Sequence, residues 1–274
     1  MSTSATNKTP RMPVMFIPHG GGPCFFMDWD PKDEWDKMAN YLRNIASGLP
    51  AQPKAIVMVS AHWIQSEVTV TSAAHPEMIF DYYGFPAHTY ELRYPAPGEP
   101  ALADKLVHLL KTAGIQARTD GTRGYDHGMF IPLLLMFPEA HIPVIQMSLT
   151  KTLNPAEHIA IGKALESLRD EGVLIVGSGM SFHNMRGYGD PHYGPISDAF
   201  DTWLTQSVES DPDTRNKALS DWEAAPGARQ CHPPRAEEHL IPLMVVAGAA
   251  GQDKGVKAFT DRVMQTTLSA FHFG

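Results

Sequence analysis

The run Ala55-Ile56-Val57-Met58-Val59-Ser60-Ala61-His62 carries β-favouring apolar residues straight into an imidazole. A continuous apolar stretch of this kind reads as a strand buried on both faces. A titratable side chain at the C-terminal end of such a strand lies where open α/β sheets place their chemistry. The pattern recurs. Pro13-Val14-Met15-Phe16-Ile17-Pro18-His19-Gly20 is a second such run, and Val173-Leu174-Ile175-Val176-Gly177-Ser178 leads on to His183-Asn184. Histidines delivered to one end of a sheet from distant parts of the chain point to a single metal site. Composition agrees, because 13 histidines stand against 2 cysteines. That balance suits imidazole-bound Zn, Fe, Cu or Ni and disfavours iron–sulfur clusters and thiolate zinc.

Two more histidines sit in informative contexts. His127 stands in Asp126-His127-Gly128, where Asp126 or a more distant carboxylate orients the ring, since adjacent side chains diverge. His239 follows Glu237-Glu238 and starts the apolar helix Leu240-Ile241-Pro242-Leu243-Met244-Val245. If His239 points inward, Glu238 is expected to point elsewhere. His75, His88, His108, His141, His158, His192 and His272 lie in polar or loop contexts and read as surface or hydrogen-bonding residues. His232, beside Pro233-Pro234, stays open. His19-Gly20-Gly21-Gly22 also has the form of an esterase oxyanion loop. That chemistry needs a Gly-x-Ser-x-Gly elbow, and Ser178 is flanked by Val176 and Met180 where glycines are required. The esterase reading fails.

Such side chains need a scaffold, and strands alternate with helices along the chain. A Gly/Pro/Asp-rich loop (20–31) precedes a helix capped by Asp33 and running to about Ser47. Residues 67–71 read as an alternating strand. The stretch 75–100, rich in proline and aromatics, reads as an ordered loop over one end of the sheet. A helix from Pro100 to Ala113 turns Leu102, Leu106, Leu109 and Leu110 inward. A short strand near 115–118 follows, then a helix or strand at 131–137 and a buried strand at 143–148. Asn154-Pro155 opens a helix to about Arg169, with Gly172 past its end. After the strand at 173–176 come a helical region (195–225), a Pro-rich loop (229–235), a helix (237–249) and two strands near 255–260 and 264–272. The alternation predicts an α/β fold: a single domain over 12–274, a mixed central sheet flanked by helices, and the metal site at the strand C-terminal ends. Residues 1–11 are expected to be a disordered tail.

At 274 residues with 43% apolar and 19% charged side chains, the chain has the make-up of a soluble globular domain with a substantial core. A net charge of −8 argues against nucleic acid and against anionic membrane surfaces. No segment has the apolar length to span a bilayer, and the N-terminus lacks a signal-peptide core. Two cysteines give no disulfide framework, so a reducing cytoplasm is the expected location.

In this order, His19-Gly20, Ser60-Ala61-His62-Trp63, Gly84-Phe85-Pro86, Tyr94-Pro95-Ala96-Pro97-Gly98, Asp126-His127-Gly128, His183-Asn184 and Glu238-His239-Leu240-Ile241-Pro242-Leu243 resemble the class III extradiol ring-cleavage dioxygenases. The likeness is to the DOPA 4,5-dioxygenase-like branch, related to the catalytic subunit of protocatechuate 4,5-dioxygenase, and runs from about Met12 to the C-terminus. It implies that His19, His62 and His239 hold one divalent metal, Fe(II) or Zn(II), with His183 a further ligand or an acid/base. It implies His127 as the acid/base beside that metal, and a catechol-type substrate with O₂ as co-substrate. The loop residues Tyr82 and Phe85 are expected to cover the substrate ring. Two features depart from the family pattern: Gly21-Gly22-Pro23-Cys24-Phe25-Phe26 replaces a Ser-Pro-Met, and His239 stands where protocatechuate-type relatives use a carboxylate. The same ligand set also suits a zinc-dependent hydrolase or a non-catalytic metal-binding relative.

Overall fold

Apolar runs that name themselves as strands are buried along their whole length: every residue of Val14–Pro18, Val144–Thr150 and Val173–Gly179 is buried. In the computed structural model, which describes residues 9–274, these runs are three of eight strands. They are β1 (Val14–Pro18), β2 (Ala55–Gln65), β3 (Val68–Thr71), β4 (Ala117–Asp120), β5 (Val144–Thr150), β6 (Val173–Gly179), β7 (Gly255–Val263) and β8 (Thr266–Phe273). One mixed sheet joins them in the order β4-β3-β5-β2-β6-β1-β8-β7. The centre, β5-β2-β6-β1, is parallel, and β8 and β7 extend it antiparallel. Because β2, β6 and β1 are parallel neighbours, the segments that leave their C-terminal ends emerge together.

The helices are α1 (Asp36–Asn44), α2 (Pro100–Thr112), α3 (His127–Met136), α4 (Pro155–Leu165), α5 (Tyr193–Val208), α6 (Pro212–Ser220), α7 (Ala228–Cys231) and α8 (Ile241–Ala249). Successive side chains on a strand face opposite sides, and β6 uses this to separate α3 from α8. Ser178 reaches the Gly128 carbonyl of α3, while Gly177 abuts the Pro242 backbone of α8. The end of α8 leaves carbonyls without helical partners. Two buried arginines supply donors: Arg169 bonds Ala249 and Ala250 oxygens at 3.1 Å, and Arg215 bonds Ala247 and Gly251 oxygens at 3.1 and 3.0 Å. No helix among the described residues is long and apolar enough to cross a membrane.

Several boundaries differ from the sequence expectation. Residues 33–35 form a turn closed by Asp36 N–H to the Asp33 carbonyl, so α1 starts at Asp36 and Asp33 is not its cap. Strand β2 continues past His62 to Gln65, with a break in its β5 register between Val59 and Ile64. His62 therefore lies in an irregular stretch rather than at the strand's last residue. Bulges of this kind re-aim side chains near active sites. The segment expected at 131–137 is helical as far as Met136, where α3 ends. Helix α4 ends at Leu165 and tightens into a 3₁₀ segment to Glu171, closed by Gly172 at φ 88°. Residues 237–240 precede α8 rather than opening it. Of the expected N-terminal tail, residues 1–8 lie outside the described residues. Arg11 is held by Glu166 at 2.8 Å and Asp170 at 2.7 Å, and Met12 N–H bonds the Arg169 carbonyl.

Away from the strand ends, His232 and His272 are neutral by burial, which lowers them to about 3 and about 4. His232 pairs with the Ser181 carbonyl and His272 with the Tyr41 hydroxyl. Unfolding frees both to protonate near the ordinary imidazole pKa of about 6.5. The unfolded state then binds more protons, so stability is full above that pH and falls as the pH drops below it. The expected loss is about 1.4 kcal/mol per pH unit for each histidine. Urea unfolding of the metal-free protein at pH 7.5, 6.5 and 5.5 checks this, and a midpoint that stays constant across the series would contradict it.

Candidate metal centre

Five histidines converge on one cavity of about 350 Å³ at the strand C-terminal ends. His19 follows β1, His62 sits in the irregular part of β2, and His127 is the first residue of α3. His183 follows β6, and His239 lies in the turn before α8. Trp29, Trp35, Phe85 and Tyr188 add an aromatic wall. A pocket of this size, mostly apolar with a few convergent polar groups, suits a small aromatic ligand.

His19, His62 and His239 form the all-histidine group, with one ring nitrogen of each within 4.8 Å of the others; His62, Asp81 and His127, and His183, Glu238 and His239, meet the same limit. The Nε2 atoms of His19 and His62 are 3.1 Å apart. The outer partners fix the tautomers. Ser178 donates its hydroxyl proton to the Gly128 carbonyl, so at 3.0 Å it must accept the Nδ1–H of His19. The His239 Nδ1–H donates to the Glu238 carboxylate at 3.0 Å. Both rings thus keep Nε2 unprotonated and available, the arrangement that metal-ligating histidines adopt. Burial, reinforced by the neighbouring imidazoles, holds His19, His62 and His239 below the ordinary pKa, so all three are neutral. Three neutral imidazoles with their nitrogens crowded together, two of them with Nε2 free, fit a divalent cation.

His127 and His183 flank this group differently. The His127 ring lies 3.9 Å from that of His62, and its Nδ1–H donates to Asp81 Oδ1 at 2.7 Å. The backbone N–H of His127 donates to the same oxygen at 3.0 Å. Burial pushes Asp81 up, but these bonds and the histidine charge outweigh it and hold the carboxylate below its ordinary range. Asp126, the adjacent residue, turns away to accept from Ser60 at 2.7 Å, from Arg123 at 3.1 Å and from Gln146. Ser60 in turn accepts the backbone N–H of His62 at 3.1 Å, which pins the irregular part of β2. His183 stacks on His239 at 3.4 Å with ring planes 14° apart. A lone pair projects in the plane of its ring, so these two nearly parallel rings direct theirs along separate planes. Burial lowers His183 to about 4, and its Nδ1 is 3.8 Å from Glu238.

The expected substrate loop divides. Phe85 lines the cavity, against Gly22, whereas Tyr82 is not in the wall. The Tyr82 hydroxyl donates to the Thr89 carbonyl at 2.6 Å, and its ring stands edge-on to His127. Glu238 does not point elsewhere. Residues 238 and 239 lie in a turn, so both side chains reach the site. Ser178, set aside as a nucleophile, is the outer partner of His19. Asp81 and Trp35 were not singled out by sequence, and nothing in their local spacing marks them.

Residues 13–272 match the family described as the catalytic LigB subunit of aromatic ring-opening dioxygenase. The chain is 36% identical to "Dioxygenase tasH" of Hapsidospora irregularis, over 98% of this chain and 88% of that protein. It is 38% identical to "4,5-DOPA dioxygenase extradiol" of Beta vulgaris, over 88% and 87% of the two chains. The Escherichia coli K12 protein of the same name is 34% identical over 87% and 85%. The crystal structure of an uncharacterized Escherichia coli K12 protein superposes with a TM-score of 0.77 at 30% identity, covering 96% of this chain and 100% of that one. A histidine cluster at the C-terminal ends of a mixed sheet and a family match along nearly the whole chain agree: this protein belongs to the LigB family and is a metal-dependent extradiol aromatic ring-cleaving dioxygenase.

Proposed function

We propose that residues 12–274 form one catalytic domain that opens catechol rings bearing a carboxylate-ended side chain. The observation that carries the reading is the triad His19, His62 and His239, each neutral and two held by outer partners with Nε2 free. These three would hold one Fe(II) or Zn(II). When bound, the ion supplies a positive centre that favours the catecholate and, as iron, the redox chemistry of O₂. His127, held by Asp81 through Nδ1, keeps Nε2 for the substrate hydroxyl and takes its proton. His183 serves as a second acid/base on the Glu238 side. Such proton transfer contributes typically about 10²–10⁴-fold. The aromatic wall of Trp29, Trp35 and Phe85 stacks on the ring and keeps water away.

Two features support the side chain. A second hollow shares His183 and Met185 with the cavity and is lined by Asn184, Arg186, Tyr193 and Arg229. Arg229 is compensated by Glu223 at 2.8 Å and Glu237 at 3.4 Å, while Arg186 has no ion pair among the described residues. Several relatives are named for DOPA, a catechol with a carboxylate-ended side chain. The free, buried cysteines support a reducing cytoplasmic location.

Oxygen consumption by the anaerobically Fe(II)-loaded protein tests the reading across catechol, dopamine, DOPA and 3,4-dihydroxyphenylacetate. The expected result is O₂ uptake with a yellow ring-opened product and a lower KM for the two carboxylates. Equal KM values across the panel would remove the side-chain assignment. O₂-independent turnover would remove the dioxygenase assignment itself.

A further inference from the structure

We propose that Asp81 is a positioning residue that couples metal occupancy to proton transfer, one oxygen serving His127 and the other His62. The inference rests on the roles proposed above for those two histidines. Asp81 comes from the loop between β3 and α2, which contributes Phe85 but no charged group to the cavity wall itself. Its Oδ1 accepts twice from His127, from the ring at 2.7 Å and from the backbone at 3.0 Å. Its Oδ2 faces His62 Nδ1 at 3.9 Å. A carboxylate can only accept, so the double bond to His127 holds the proton on Nδ1 and presents a bare Nε2. Towards His62 the same negative charge favours a proton on Nδ1 and leaves Nε2 for the ion.

The rings of His62 and His127 are tilted at 44° with centroids 3.9 Å apart, so neither can rotate without displacing the other. Among the described residues Asp81 is the carboxylate within 4 Å of Nδ1 of both rings. The remaining carboxylates near the site are committed elsewhere: Asp126 to Ser60, Gln146 and Arg123, and Glu238 to His239. An amide at position 81 keeps the shape but offers a donor as well as an acceptor. The amide keeps its oxygen towards the His127 backbone N–H and ring Nδ1–H, but without the carboxylate charge that makes Nε2 a strong base. It also withdraws the charge behind His62. Loss of an outer partner of a ligand histidine typically weakens metal binding by about 10–100-fold.

The test compares the full-length protein with Asp81→Asn, Asp81→Glu, His127→Ala and the Asp81→Asn/His127→Ala pair. Zn(II) affinity is read by competition with a chromophoric chelator, and kcat and KM by O₂ uptake after Fe(II) loading. Asp81→Asn is expected to weaken Zn(II) by about 10-fold or more and to lower kcat by about 10²-fold, with KM little changed. Asp81→Glu, which restores the charge, is expected to recover part of both. In the His127→Ala background Asp81→Asn should lower kcat no further while still weakening Zn(II). Full multiplicative loss of kcat in the pair would overturn the coupling, as would unchanged Zn(II) affinity in Asp81→Asn. Two Zn(II) per chain, with one lost in Asp81→Asn, would make Asp81 a ligand instead. Parental kcat in Asp81→Asn beside an inactive His127→Ala removes the coupling alone. Parental kcat in His127→Ala removes the acid–base assignment and the coupling with it.

Discussion

His62→Ala is expected to bind no stoichiometric metal and to show no catechol-dependent O₂ uptake. The side chain is one of three that bring ring nitrogens within 4.8 Å, and its Nε2 lies 3.1 Å from that of His19. Deleting it leaves two nitrogens where the proposed ion needs three, a larger loss than the roughly 10–100-fold that removal of an outer partner costs. The fold should survive. His62 lies in the irregular part of β2, so its removal disturbs no regular pairing there. It also relieves the crowding of neutral imidazoles that the metal-free site must bear. His127→Ala makes the contrasting case: metal content should stay stoichiometric while kcat falls by about 10²–10⁴-fold. Elemental analysis of both variants, with circular dichroism to verify folding, separates the two roles. A stoichiometric ion in His62→Ala would take that residue out of the ligand set, and a metal-free His127→Ala would exchange the two assignments.

The contrast between these residues and their partners explains what was legible in the sequence. His19, His62 and His183 are legible because fully buried parallel strands are continuous apolar runs, and a polar residue that follows such a run lies near the C-terminal edge of the sheet, although β2 itself runs on to Gln65. Parallel strands bring those ends to one side of the sheet, so the shared site followed from the pattern. His127 opens α3 and His239 lies in the turn before α8, where a histidine is ordinary; their neighbours Asp126 and Glu238 mark them as candidates, and the ordered resemblance to ring-cleaving enzymes implies their roles. Their orienting groups were out of reach. Asp81 meets His127 across 46 residues of chain, and Ser178 meets His19 across 159. No local spacing encodes such contacts, which depend on how a loop folds over the sheet. Glu238 departs from expectation for a simpler reason: residues 238–240 form a turn, not the first turn of a helix, so its side chain and that of His239 need not diverge. The bend within β2 was equally hidden, because a bulge is written in the pairing with β5 and not in the residue types of β2 itself.

Gly179→Ala is the second change with a large expected effect, and it acts on the site without touching a ligand side chain. Gly179 ends β6 on the face that receives α8, and a methyl group there would overlap the carbonyl oxygen of His239. That carbonyl already accepts the Met180 N–H at 2.9 Å, so it cannot retreat without giving up a buried bond. The backbone of His239 must move, and with it the imidazole that α8 holds in place. Forcing atoms into a packed interior typically costs about 1–3 kcal/mol, and freeing a buried carbonyl adds about 1–3 kcal/mol. Together these correspond to a melting temperature lower by roughly 10 °C for a domain of this size. Because α8 is anchored at its far end by Arg169 and Arg215, the displacement is concentrated at its N-terminal turn. Metal affinity should therefore fall together with the melting temperature. Gly48→Ala is the control: a methyl group there meets nothing within 4 Å, and removing a glycine from the unfolded chain stabilises by about 0.4–1 kcal/mol at a compatible site. Calorimetry and Zn(II) competition on both variants read the two effects. Parental metal affinity in Gly179→Ala would mean that His239 is held by α8 alone and owes nothing to its close approach to β6.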